Sequence, residues 1–131
     1  MEEFDRFEEA CAKAFAFLEQ KFGFGAPELE RLGREAYVRF HKGAHTVSIS
    51  WEPGSAPFVE LFHPFAGEGR TPWADRDGVP YARRFPSWPR TTRTGRYDWD
   101  RPTAETFDAY LILAAENLAE REGEFLSASG T

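Results

Sequence analysis

Two stretches of alternating residue character constrain this chain more than anything else in it. In Ala36-Tyr37-Val38-Arg39-Phe40-His41, and again in Thr46-Val47-Ser48-Ile49-Ser50-Trp51, apolar and polar side chains take turns. Successive side chains of a strand point to opposite faces of a sheet, so each run builds one face for a core and one for water. Only Lys42-Gly43-Ala44 separates them, which requires an antiparallel hairpin, because parallel strands need a crossover of about a dozen residues or more. The loop is read as three residues long, which sets His41 opposite His45. Pro53-Gly54 is a turn signal, and Phe58-Val59-Glu60-Leu61-Phe62 then adds a third strand. Val47, Ile49 and Trp51 lie on the covered side. Thr46, Ser48 and Ser50 lie on the wetter one.

Helical periodicity brackets this meander. Phe4, Phe7, Cys11, Ala14, Phe15, Leu18 and Phe22 recur at three- and four-residue steps, one face of a helix running from Phe4 to Phe22. Gly23 or Gly25 is positioned to end it, with Pro27 beyond. Phe17 and Phe24 fall off the stripe. A second stripe, Phe107, Tyr110, Leu111, Ala114, Ala115 and Leu118, marks a closing helix from about Thr103 to Glu122, with Gly123 as its expected stop. The expected architecture is a single α+β domain of two layers, an antiparallel meander packed against an N-terminal and a C-terminal amphipathic helix.

Composition narrows the function. At 131 residues with 13 Phe, four Trp and four Tyr, the chain has enough apolar bulk for one core. Its formal charge of −6 opposes general binding to nucleic acid or to an anionic membrane, both of which require a positive field. One cysteine, Cys11, excludes an internal disulfide and the cysteine-rich zinc patterns. The acidic start, Glu2-Glu3-Phe4-Asp5, is the reverse of a signal peptide, and no apolar run approaches a membrane span. The expected location is the cytoplasm.

Residues Gly67 to Arg101 depart from these patterns. They hold eight of the arginines, three of the four tryptophans and four prolines. Trp, Tyr and Arg are the types enriched at interface hot spots. Trp73, Asp75, Asp77, Tyr81, Arg83, Arg84, Trp88, Tyr97 and Trp99 are therefore the candidate partner-binding residues, with short strands expected at Tyr81–Phe85 and Arg93–Trp99. The competing reading makes the aromatics anchors that pin a long connection over the sheet, since large aromatics are mostly buried.

Chemistry finds less footing. His41, His45 and His63 offer imidazoles for zinc, but no tight ligand spacing supports a site, and no metal or other cofactor is expected. Asp75/Asp77 and Asp98/Asp100 are spaced to hold Mg²⁺ or to act as acid and base, yet the first pair reads as a turn and the second as a helix start. No serine sits in a nucleophile elbow, and no glycine pair opens a phosphate-binding helix. Two further readings stay open: a small enzyme or ligand-binding domain using these Asp and His groups, and single-stranded nucleic-acid binding by residues 67–101, where arginines interleave with aromatics.

The Phe-rich first helix ending at Phe22-Gly23-Phe24, the short meander, and the closing helix ending in Gly123-Glu124-Phe125-Leu126 resemble the layout of small bacterial immunity-type proteins. Those proteins are partners of polymorphic or contact-dependent toxins. The resemblance implies a non-enzymatic protein that binds another protein, a toxin domain, as its inhibitor.

Overall fold

The alternating runs form the centre of an antiparallel sheet, and the two helical stripes cover one side of it. The computed structural model describes residues 2–53, 57–64, 70–72, 81 and 104–127. Their elements are α1 (Glu2–Ala14), α2 (Ala16–Phe22), β1 (Glu28–Leu32), β2 (Glu35–Lys42), β3 (His45–Trp51), β4 (Phe58–Pro64), β5 (Arg70–Pro72), α3 (Ala104–Arg121) and α4 (Gly123–Leu126). The strands lie in sequence order, β1-β2-β3-β4-β5, each antiparallel to its neighbours. This is the expected α+β meander between terminal helices. No described helix is long and apolar enough to cross a membrane.

The core forms where the predicted stripes meet. Phe4, Phe7, Cys11, Phe15 and Leu18 are buried with Val38, Phe40, Val47, Ile49 and Leu61 of the sheet and with Tyr110, Leu111, Ala114 and Leu118 of α3. Trp51 closes one end, its ring edge-on to Phe4 at 6.0 Å and 5.6 Å from Phe7. Arg31 fastens β1 to α1: its guanidinium donates to both carboxylate oxygens of Glu8, at 2.9 and 2.7 Å, and to Asp5 at 2.6 Å. That bond holds the Asp5 carboxyl below its ordinary range.

Several expectations are corrected. The first helix is not continuous: it breaks at Phe15, where the backbone leaves helical geometry. The two segments together bring Phe17, off the stripe of a straight helix, against the core beside Phe15. α2 stops at Gly23, as expected. Gly123, by contrast, does not end the closing helix; α3 ends at Arg121, and Gly123 opens the short α4, which buries Phe125 and Leu126. Strand β1 was not expected, and neither was β5, which lies inside the arginine-rich segment.

The most consequential correction is one residue of loop length. Lys42 pairs with His45, so the β2–β3 loop is Gly43-Ala44 alone. Gly43 has φ +61°, a left-handed value suited to a tight hairpin with glycine at its first loop position. Shortening the loop by one residue moves His41 opposite Thr46, and a one-residue shift reverses the face of a side chain. His41 and His45 therefore lie on opposite faces of the sheet, not across from each other on one.

Candidate functional site

The helices cover one face of the sheet, and the register defines what the other presents. Glu30, Tyr37, Ser50 and Phe58 form one row across β1 to β4. Glu28, Arg39, Ser48 and Glu60 form the next, and His41, Thr46 and Phe62 a third. These residues sit at the alternate positions of the same runs whose apolar members build the core, so the face follows directly from the period of two.

Its centre is a fixed Arg–Tyr pair. The Arg39 guanidinium lies 4.5 Å from the centre of the Tyr37 ring, within cation–π range, and also pairs with the Glu30 carboxylate. The Tyr37 hydroxyl donates to Glu35, whose carboxylate holds the phenol above its ordinary range. Phe58 stands in the same row at 42% exposure. Burial raises the Glu60 carboxyl, partly offset by Arg39. Two of the three side-chain types enriched at protein hot spots are thus held in place by carboxylates.

The face is less wet than expected. Thr46 is fully buried and Ser48 is 4% exposed. Each is a small side chain between long ones in its own row, His41 and Phe62 for Thr46, Arg39 and Glu60 for Ser48. Thr46 is satisfied by the His41 Nδ1, 3.0 Å from its Oγ1, while the other ring nitrogen lies 3.2 Å from Glu28. Carboxylate, imidazole and hydroxyl in series are the parts of a nucleophilic relay. Here the hydroxyl is sealed from solvent, so no substrate reaches it, and the chain of contacts fixes the His41 ring instead.

His45 and His63 lie on the helix-covered face. The His45 ring packs edge-on against Phe125 at 5.3 Å, and its buried Nδ1 has no hydrogen-bond partner. Among the described residues no group of three or more His, Cys, Asp and Glu side chains could hold a metal ion. Cys11 is fully buried, and burial pushes its thiol well above the ordinary range, the reverse of what a nucleophile requires. A groove of about 620 Å³ runs between α1 and α3, lined by Arg6, Glu9, Lys13, Asp108 and Ile112 among others; Arg6 and Asp108 pair across it at 3.5 Å. It carries charges of both signs and no imidazole or nucleophile.

Of the residues expected to bind a partner, Tyr81 is described. It is 2% exposed, packed in the core, and its hydroxyl donates to the Asn117 Oδ1 at 2.9 Å. A buried ring with a satisfied hydroxyl is an anchor and offers no surface to a partner. Trp73, Asp75, Asp77, Arg83, Arg84, Trp88, Tyr97 and Trp99 lie outside the described residues. Sequence reasoning passed over Tyr37, Arg39 and Phe58. The signal was available: in β2 the residues alternating with Ala36, Val38 and Phe40 are Tyr37, Arg39 and His41. Compared with known proteins, the chain matches no family model, no curated protein and no solved structure.

Proposed function

We propose that this chain is a non-enzymatic protein-binding domain, an immunity-type inhibitor that engages a toxin through the face of its sheet opposite the helices. The observation that carries the reading is the preset Arg39–Tyr37 pair, braced by Glu30 and Glu35 beside the half-exposed Phe58. Preorganised aromatic and Arg side chains bind at low entropic cost, which suits recognition of a folded surface. Two further features support binding over catalysis. The imidazole–hydroxyl pair on this face ends in a sealed Thr46, and the cysteine is buried. The net charge of −6 suits a basic partner and speeds its encounter with the chain.

The test is growth rescue. The product of a gene adjacent to this one, expressed in a bacterial host, should arrest growth, and co-expression of this chain should relieve the arrest. Arg39→Glu should abolish relief when variants are compared at equal folded fraction, since it also sets a second carboxylate directly opposite Glu28 and lowers the melting temperature. Relief that survives both Arg39→Glu and Tyr37→Ala would place the interface elsewhere. Neighbours whose products the chain neither binds nor neutralises would remove the immunity reading.

A further inference from the structure

β1 lies at an edge of the described sheet, and every residue in it is exposed. Its backbone pattern follows from the turn that closes it. The two-residue loop Gly33-Arg34 makes Leu32–Glu35 the closing hydrogen-bonded pair. Bonded pairs then alternate, at Glu30–Tyr37 and Glu28–Arg39. The N–H and C=O groups of Leu29 and Arg31 therefore point away from β2, along the edge of the described sheet. Natural edges are commonly blunted by a bulge, a proline or charged side chains. This one has no bulge and no proline, its register running unbroken from Glu28 to Leu32, and it is guarded by charge alone: Glu28, Glu30 and Arg31. Leu29, on the helix side, is 55% exposed, and Leu32, on the other side, 54%.

Charge decides what fits there. Asp5, Glu8, Glu28, Glu30 and Glu35 flank the edge, against Arg31, Arg34 and Arg39. A second copy of the chain does not match it. An antiparallel pair related by a two-fold axis keeps each side chain on its own face, so the axis passes through a residue. Centred on Glu28 or Glu30, it sets that carboxylate against its own copy. Centred on Leu29 it opposes Glu28 to Glu30, centred on Arg31 it opposes two guanidiniums, and centred on Leu32 it meets only the Gly33-Arg34 turn and leaves Leu29 without a partner strand. Like charges directly opposite are destabilising.

We infer that this edge takes up an extended strand of a basic partner protein, with Lys or Arg facing Glu28 and Glu30 and an apolar residue facing Leu29. The described sheet gains a sixth strand, with backbone hydrogen bonds supplying affinity and the alternate side chains specificity. The same charges that exclude a second copy select this partner. The inference rests on the protein-binding reading above and adds to it the docking element and the partner's chemistry.

The probe is a short synthetic peptide alternating Lys and Val, added to the full isotope-labelled chain and followed by NMR. Resonance shifts and slowed hydrogen exchange are expected at the Leu29 and Arg31 amides. N-methylating the valines removes the amides that bond to this edge and keeps the charge. It should weaken binding about tenfold, the equivalent of roughly two hydrogen bonds. Equal binding by the methylated peptide, perturbations centred away from β1, or no perturbation at all overturns the proposal. Leu29→Pro deletes one outward N–H, leaves the β1–β2 hydrogen bonds in place and sets its ring in the path of an added strand, so it should weaken docking about tenfold or more. If that variant does not fold, Glu28→Lys combined with Glu30→Lys should do the same. A partner that loses binding on Arg39→Glu but binds the Leu29→Pro chain normally removes the edge and leaves the broader reading. A peptide that docks on β1 of a chain that relieves no toxicity removes the immunity reading and leaves the edge.

Discussion

The ammonium of Lys42 donates to the main-chain carbonyl of Leu126, 84 positions later in the chain. The same nitrogen donates to the Phe22 carbonyl at 3.0 Å and lies 5.1 Å from the Phe24 ring centre. Phe22 and Leu126 are the last residues of α2 and α4, where helix carbonyls lack partners within the helix. One cation thus caps two helix ends at once and favours the negative end of both dipoles.

Lys42→Met keeps the apolar stem and removes the charge. It should lower stability by about 2 kcal/mol, the scale of hydrogen bonds to a charged group. Chemical denaturation measures the loss, and amide exchange near Leu126 should quicken more than in the central strands. Unchanged exchange there would show that α4 is held by Phe125 and Leu126 packing alone.

His45 sets an acid limit on the fold. It is 8% exposed, and burial first, then the charges of His63 and Lys42, lowers its pKa from the ordinary 6.5. The unfolded chain then takes up the proton more readily than the folded one. The stability this group contributes is complete above 6.5 and is lost as pH falls below it toward the lowered value. The slope is at most about 1.4 kcal/mol per pH unit for one proton. Denaturation midpoints followed from neutral pH downward should fall more steeply for the native chain than for His45→Leu. Parallel curves would assign the acid sensitivity to other groups.

Phe15 occupies the break between α1 and α2 and is fully buried, with its ring 6.4 Å from that of Phe40. Phe15→Ala should cost about 3–5 kcal/mol, the usual range for emptying a packed aromatic site. Urea unfolding is the measurement. A cost near zero would mean that the two helical segments re-pack as one straight helix without it.

Tyr81 separates packing from hydrogen bonding. Tyr81→Phe should cost about 1 kcal/mol, since it leaves the Asn117 oxygen without its donor, whereas Tyr81→Ala should cost about 3–5 kcal/mol. Neither change should alter growth rescue once the variants are compared at equal folded fraction. A selective loss of rescue by Tyr81→Phe would return this residue to the interface.

Periodicity carried the architecture in the sequence. The alternation of Val47, Ile49 and Trp51 and the helical steps through Phe7, Cys11, Phe15, Leu111 and Leu118 each demand one buried face, and burying those faces together admits the two-layer meander. The same alternation held the face opposite the helices, because Tyr37 and Arg39 are the other half of the β2 pattern. Strand β1 escaped because none of its residues is buried, so no period of two is selected in Glu28-Leu29-Glu30-Arg31-Leu32. Its legible trace was Gly33, whose φ of +59° closes the hairpin as Gly43 does in the next. Tertiary structure alone decided the rest. Loop length is a local backbone choice, and one residue of it put His41 and His45 on opposite faces. That Tyr81 turns inward to Asn117 depends on a neighbour brought near only by folding, and no local pattern encodes such a long-range contact.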